Sequence, residues 1–308
     1  MLEMSDRDKF LFDVQGFLVV PGVLSEDEVE RLNAAVDANR DRIRDDRNAH
    51  TDGSQTLAGS GKRRTLNDLL TLEQPWCQPF RDLLVHPKLV PYLNTMLGPG
   101  WRMDHAPQMF FAQPGAEGLA LHGAGAGVAE IWDRDHPGFG GQAPDLARTY
   151  QYANGQMRCG LLSIEFHLSP NEEGHGGFAA IPGSHKANFP MPEQIRKWED
   201  ARDAVRNPAC AAGDALIFNE ALLHGTLPWR ESHERRALLY RYSPRYLHYA
   251  GGYNRTELPS WASELTEPQR AVLEPPYVYA RPVISDDGLE AKIESGFGKS
   301  RTERERAV

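Results

Sequence analysis

The spacing of apolar residues changes about one third of the way along the chain. Before residue 100 it follows a helical period, with Ser25 and Glu28 placed to form a capping box at the start of one such stretch. A helix is therefore predicted to begin there. Two further helices are predicted over residues 76–85 and 88–97, divided by Pro87. The apolar face of the first helix is formed by Val29, Leu32, Val36 and Ile43.

From about residue 101, short apolar runs separated by glycine- and proline-containing turns replace the helical period. Such runs are typical of a β-sandwich or barrel. Because the helices precede the strands, the pattern predicts helices packed outside one mostly β core. We expect one domain over residues 1–285, helical over 1–100 and with its β-core at 101–250, followed by a charged tail at 286–308. The predicted strands are 108–112, 119–121, 161–168, 178–181, 215–218 and 237–242.

A long segment rich in glycine, aspartate and proline separates two of these strands, between Gly123 and Gly155. Loops of this length inside a compact domain are commonly lids or binding loops. Its larger side chains could close over a ligand, or pack the segment against the barrel. They are Trp132, His136, Phe139 and Tyr150.

The composition excludes several classes of protein. With 34 basic and 43 acidic residues the formal charge is −9, which argues against a nucleic-acid-coating protein. No apolar stretch approaches the roughly 20 residues of a membrane span, and the amino terminus does not resemble an export signal. Three widely spaced cysteines fit neither a disulfide framework nor a zinc motif. We therefore expect a cytoplasmic protein that acts on a small molecule.

Two of the eleven histidines, His122 and His224, each close an apolar run and are each followed by glycine. Histidines on strand ends at a barrel mouth are suited to binding Fe(II), although a single histidine at a strand end is more often a structural residue. Thr226 lies two residues after His224, and Arg235 lies eleven residues after it. An arginine fork supported by a hydroxyl can bind a small carboxylate.

These features resemble the phytanoyl-CoA dioxygenase-like family of Fe(II)/2-oxoglutarate-dependent oxygenases. The resemblance runs from residue 12 to about residue 244. It is most specific at Ile181-Pro-Gly-Ser-His-Lys186, at Ala212-Gly-Asp214 and in the spacing from His224 to Arg235. It implies a double-stranded β-helix, also called a jelly roll or cupin-like fold, with flanking amino-terminal helices. It also implies Fe(II) held by His122 and His224, 2-oxoglutarate held by Arg235 with help from Thr226, and O2 as the oxidant.

One position departs from the family pattern. The first histidine is followed by Gly123-Ala124, where the family carries His-x-Asp. The related iron halogenases have Ala or Gly at this place, which leaves a position for chloride on the metal. The resemblance therefore favours chlorination of an aliphatic C–H bond, with Ala124 marking the halide site.

A hydroxylase that takes its carboxylate ligand from elsewhere is the main alternative. Glu130, Glu165 and Glu220 are the candidates. Period-two alternation places Glu165 on a polar strand face, where contact with substrate or solvent is favoured over metal ligation. Glu220 and His224 are an even number of residues apart, so in one continuous strand their side chains would point to the same face, although a turn could separate them. A non-catalytic binding module of the same fold, and a zinc or nickel cupin that does not use 2-oxoglutarate, also stay open.

The substrate-binding candidates lie on or beside the predicted core strands. Arg241 has the same strand parity as Arg235, so it could receive an anionic group of the substrate or form an ion pair at the rim. The full set of candidates is His105, Gln108, Arg158, Glu165, His167, Asn219, Glu220 and Arg241.

Overall fold

The computed structural model describes residues 4–46, 50–123, 149–187, 189–249 and 258–293. Its helices are α1 (Asp6–Gln15), α2 (Glu26–Ala38), α3 (Gln78–Asp82), α4 (Val90–Leu97), α5 (Glu193–Arg196) and α6 (Glu267–Leu273). Its strands are β1 (Phe17–Val20), β2 (Arg44–Asp45), β3 (Arg64–Leu66), β4 (Arg102–Ala112), β5 (Leu119–His122), β6 (Tyr150–Ala153), β7 (Gln156–Cys159), β8 (Leu162–His167), β9 (Gly177–Ala180), β10 (Ala215–Asn219), β11 (His224–Leu227), β12 (Arg235–Ser243), β13 (Val283–Ile284) and β14 (Ala291–Lys292). None of the described helices is long and apolar enough to cross a membrane.

Helix α2 begins at the predicted capping box. The Ser25 hydroxyl accepts a hydrogen bond from the Glu28 backbone N–H at 3.3 Å, and the Glu28 carboxylate accepts one from the Ser25 N–H at 2.8 Å. The predicted apolar face was too long, because the helix ends at Ala38 and a single 3₁₀ turn follows. Ile43 therefore lies beyond the helix in an extended conformation and only packs against the main core.

Two antiparallel sheets form the β-core. The larger has seven strands in the order β1-β10-β8-β12-β4-β3-β2, and the smaller has three in the order β5-β11-β9. Phe178 and Ala180 of the small sheet pack against apolar side chains of the large sheet, so the two sheets share an interior. Those partners are Phe17, Leu216, Phe218 and Leu239. The architecture is mostly β, as the sequence predicts.

Strand β8 separates this interior from the helical layer. Its apolar residues Leu162, Ile164 and Phe166 belong to the core cluster that also contains residues of α2, α3 and α4. Because successive side chains on a strand point to opposite faces, Ser163, Glu165 and His167 face the interior between the sheets. All six residues of β8 are buried. The polar face of this strand is therefore enclosed, and its charges need partners inside the protein.

Candidate metal centre and co-substrate pocket

The two predicted iron ligands face each other across strands of the small sheet. His122 at the end of β5 is the register partner of His224 at the start of β11, and the ring centroids are 4.3 Å apart. The Nδ1 atom of His224 lies 2.7 Å from the Leu222 carbonyl oxygen, and that of His122 lies 3.1 Å from the Ala120 carbonyl oxygen. A carbonyl can only accept, so Nδ1 carries the proton in each neutral ring. Both Nε2 atoms thus keep a lone pair, as metal-binding histidines require.

The glycine after each histidine allows the backbones to approach closely. Gly123 has φ +140°, and a Cβ atom there would lie 2.2 Å from the Leu222 carbonyl oxygen. A Cβ atom at Gly225 would lie 2.6 Å from the Leu119 carbonyl oxygen. No side chain fits at these distances, because the atoms in the way belong to the backbone. The repeated His-Gly sequence is therefore a requirement of the β5–β11 pairing that brings the rings together.

We expect Gly123→Ala to weaken Fe(II) binding by about 10- to 100-fold, because the added methyl group must push β5 away from the Leu222 carbonyl and move His122. Anaerobic Fe(II) titration measures the effect. Gly155→Ala is the matched control, since Gly155 also has a positive φ but nothing within 4 Å of its would-be Cβ. Equal iron affinity in the two variants would show that the close approach at Gly123 does not position the ligand.

Glu220 places a carboxylate beside the histidine pair. Its Oε2 atom lies 3.6 Å from Nε2 of His224. Its Oε1 atom accepts a short hydrogen bond from the Ser163 hydroxyl and another from Nε of Arg241 at 3.1 Å. One carboxylate oxygen is thus held by two donors, while the other lies toward Nε2 of His224.

The same carboxylate is ionised despite its burial. Burial alone would raise the pKa of Glu220, but a protonated His224, the Arg241 guanidinium and the Ser163 hydrogen bond together lower it to about 2. A pocket of about 200 Å³ opens beside the carboxylate. It is lined by His105, His122, Gly123, Leu161, Glu220, Arg241 and Tyr249.

A second buried cluster contains the predicted 2-oxoglutarate-binding arginine. Nη2 of Arg235 donates a 2.6 Å hydrogen bond to Oε1 of Glu165, and Nε2 of His167 lies 3.3 Å from the same oxygen. All three side chains are buried. Burial alone would raise the pKa of Glu165, but the charge and the hydrogen bond of Arg235 oppose it, and the pKa is lowered. Thr226 lies on β11, two residues after His224 and therefore on the same strand face.

The structure brings some of the predicted site residues together and separates others. His105, Glu220 and Arg241 line the pocket at the histidine pair. Gln108 instead donates to Asn67 at the edge of another cavity, and Arg158 lines a separate pocket on the β6–β7 hairpin.

The side chain of Asn219 hydrogen-bonds to backbone groups. Its Oδ1 atom accepts from the Ala221 N–H at 2.7 Å, and its Nδ2 atom donates to the Thr149 carbonyl oxygen at 3.3 Å. Ala124 and Glu130 lie outside the described residues, as do Trp132, His136 and Phe139 of the insertion.

Several residues at these clusters were not among the sequence candidates. The sequence could have indicated Ser163, because alternation along the strand puts it on the same face as Glu165 and His167. It could not have indicated Leu161, Tyr249 and Arg63, since only the tertiary fold brings them to the site.

The sequence profile of phytanoyl-CoA dioxygenase (PhyH) matches residues 12–237. No curated protein matches the sequence. Solved structures do resemble the fold. HygX from Streptomyces hygroscopicus, with nickel, 2-oxoglutarate and hygromycin B bound, is 23% identical with a TM-score of 0.62. The match covers 80% of this chain and 89% of HygX.

Two further structures extend the likeness. The epimerase SnoN, in complex with Fe³⁺, alpha ketoglutarate and nogalamycin RO, is 17% identical with a TM-score of 0.53, covering 83% of this chain and 90% of SnoN. EctD from S. alaskensis, with 2-oxoglutarate and 5-hydroxyectoine, is 19% identical with a TM-score of 0.52, covering 78% of this chain and 76% of EctD. These matches confirm the predicted cupin-like jelly-roll fold.

Proposed function

Because the chain belongs to the phytanoyl-CoA dioxygenase (PhyH) family, we propose that it hydroxylates an aliphatic C–H bond of a small molecule in an iron- and 2-oxoglutarate-dependent reaction, with Glu220 as the third protein ligand. The observation that carries this proposal is the position of Glu220. Its Oε2 atom lies 3.6 Å from Nε2 of His224, while Ser163 and Arg241 hold its other oxygen. Two neutral imidazoles and one carboxylate are the donor set typical of non-heme Fe(II) oxygenases.

The residues present fit the metal and the co-substrate. His122 and His224 would hold iron through Nε2, and Glu220 through Oε2. Iron together with 2-oxoglutarate and O2 would supply the oxidising power: one oxygen atom of O2 would enter the substrate C–H bond, and the other would enter the succinate formed from 2-oxoglutarate with release of CO2. The hydrogen bonds from Nδ1 of each histidine to a backbone carbonyl fix the rings, so little reorganisation is needed when metal binds.

Arg235 and Thr226 would hold the carboxylate of 2-oxoglutarate farthest from its keto group. A guanidinium can bind a carboxylate through two parallel N–H groups, and a hydroxyl adds a third donor. Arg235 already contacts Glu165 through Nη2, so its remaining N–H groups would bind the co-substrate. The buried position of Arg235 strengthens that interaction, because water cannot screen it.

The substrate would enter the pocket beside Glu220. Arg241 and His105 border this pocket, and each could bind an anionic or carbonyl oxygen of the substrate. Arg241 donates to Glu220 through Nε, which leaves its terminal N–H groups for a ligand. The ligands in the HygX, SnoN and EctD structures are all small molecules, which supports a small-molecule substrate here.

Halogenation stays a second candidate, because Ala124 stands where the family has a carboxylate. It requires that a chloride ion, rather than Glu220, occupy the remaining position on the metal. Hydroxylation and chlorination therefore differ in one physical respect, which is whether Glu220 binds the iron.

We expect the enzyme supplied with Fe(II), 2-oxoglutarate, O2 and chloride to form products that have gained one oxygen atom. A panel of polar natural products and amino-acid derivatives, analysed by mass spectrometry with succinate measured in parallel, provides the test. Replacement of hydrogen by chlorine in the product would support the halogenase instead. No consumption of 2-oxoglutarate with or without substrate would leave a binding module of the same fold.

A further inference from the structure

Arg63 is a buried arginine directly before β3, and it lines the cavity that Gln108 and Phe110 also border. Its side chain is largely enclosed, with 7% of the residue exposed, and its guanidinium lies 5.3 Å from the centroid of the Phe110 ring. Within the described part of the chain, its Nη1 atom is buried and has no hydrogen-bond partner. A buried donor without a partner is costly, so such atoms commonly indicate a binding partner that is not part of the polypeptide.

The surroundings of Arg63 are those of the Arg235 cluster. Burial and the nearby charge of Arg235 lower the pKa of Arg63 to about 10, while the carboxylates of Asp46, Glu165 and Glu117 act in the opposite direction. The influence is mutual, because Arg63 contributes to lowering the pKa of Glu165. The strand register agrees, because Arg64 at the start of β3 pairs with Phe111 of β4, and the next residue of β4, Ala112, pairs with Arg235 of β12. Arg63 and Arg235 therefore lie on either side of the same end of β4.

Two other carboxylates lie near Arg63, but each has a closer partner. Oδ2 of Asp46 is 2.7 Å from Nε2 of His50, and Oε2 of Glu117 is 2.9 Å from Nζ of Lys62. Neither carboxylate satisfies Nη1 of Arg63.

The charges of the buried cluster do not balance. It holds two guanidiniums, Arg63 and Arg235, but one carboxylate, Glu165, which is hydrogen-bonded to Arg235, whereas Asp46 and Glu117 lie against other side chains. His167 adds no positive charge near neutral pH, because burial lowers its pKa. One more carboxylate would neutralise the cluster and could accept a hydrogen bond from Nη1 of Arg63.

We propose that Arg63 and Arg235 together bind the distal carboxylate of 2-oxoglutarate, with Glu165 holding the two guanidiniums in place. This inference rests on the proposed function, since it takes 2-oxoglutarate as the co-substrate. It assigns Arg63 a role in selecting an oxo acid that carries a second carboxylate. A monocarboxylic oxo acid would leave the charge unbalanced.

The test compares two ligands that differ only at the distal end. Isothermal titration of nickel-loaded protein with 2-oxoglutarate and with 2-oxopentanoate, which lacks the distal carboxylate, measures each affinity without turnover. Arg63→Gln should weaken 2-oxoglutarate binding by about tenfold or more and leave 2-oxopentanoate binding within about twofold. Arg64→Gln is the matched control, because Arg64 is the next residue and forms a partly exposed ion pair with Glu234 at 2.9 Å. It should change neither affinity.

Each other result is informative. Unchanged affinity of Arg63→Gln for 2-oxoglutarate, or equal weakening of both ligands, would overturn the role of Arg63. If Arg63→Gln does not fold, Arg63→Lys keeps the charge and should still favour 2-oxoglutarate over 2-oxopentanoate, though by less than the wild type; a preference lost entirely or fully retained would overturn the proposal. Wild-type protein that binds no 2-oxoglutarate would instead contradict the proposed function itself.

Discussion

Replacement of Glu220 by alanine is expected to lower 2-oxoglutarate-driven oxidation by about 100-fold or more. Removal of a residue that hydrogen-bonds to a metal ligand lowers metal affinity or activity by about 10- to 100-fold. Removal of a ligand should lower it at least as much. Glu220→Ala removes the carboxylate next to His224 and leaves the Arg241 and Ser163 donors without it. Succinate formation and iron content of the purified protein measure the loss, and Glu220→Gln shows how much of it reflects the missing charge.

Glu234→Ala is the matched control for this variant. The Glu234 side chain is 12% exposed, against 13% for Glu220, and it also pairs with arginines, Arg40 and Arg64 among them. It is not among the residues lining the pocket at the histidines. We expect Glu234→Ala to lose some stability and to keep its iron. A Glu220→Ala variant that retains iron and shows chloride-dependent turnover would support the halogenase instead.

Arg235→Leu is expected to raise the apparent KM for 2-oxoglutarate by about 100-fold. Removal of one partner of a buried, hydrogen-bonded charge pair costs about 2–5 kcal/mol of binding, which corresponds to a factor of tens to thousands. The same change leaves Glu165 buried without the hydrogen bond from Nη2. The free energy of unfolding should therefore fall by about 3–5 kcal/mol. Succinate assays over a range of 2-oxoglutarate concentrations and urea denaturation measure the two effects.

The double variant Arg235→Leu/Glu165→Leu separates the two effects. Since the buried carboxylate is also removed, it should recover much of the stability but none of the affinity for 2-oxoglutarate. Arg235→Leu with full activity whether or not 2-oxoglutarate is added would favour a cupin that uses another metal and no oxo acid. If Arg235→Leu lowers the free energy of unfolding but leaves the apparent KM for 2-oxoglutarate unchanged, the ion pair has only a structural role.

Local sequence patterns predicted much of the fold because the signals lie within a few residues. The capping box at Ser25 and the strand runs are of this kind. His122 closes β5 as predicted, whereas His224 opens β11 instead of closing a run. Strand β1 was missed, because its four residues become a strand only by pairing with β10, about 200 residues away. Strand β11 was also missed, because its sequence His-Gly-Thr-Leu has little apolar content.

The partners of the charged residues could not be predicted from sequence. Alternation along the strand predicted that Glu165 lies on the polar face of β8. Its contact with Arg235 depends on the register in which β8 pairs with β12. The distance from Glu220 to His224 depends on the turn between β10 and β11. The Leu222 N–H donates to the Asn219 carbonyl oxygen at 2.9 Å in that turn, so alternation along a strand does not apply there.

Anaerobic optical titration with Fe(II) and 2-oxoglutarate, performed with and without chloride at constant ionic strength, tests the central claim most directly. We expect a metal-to-ligand charge-transfer band in wild-type protein, with neither its position nor the 2-oxoglutarate affinity changing with chloride, because Glu220 completes the protein ligands. A band that responds specifically to chloride would show that the halide binds iron where Glu220 is proposed to bind. Failure to form any band would contradict an iron and 2-oxoglutarate centre at His122 and His224.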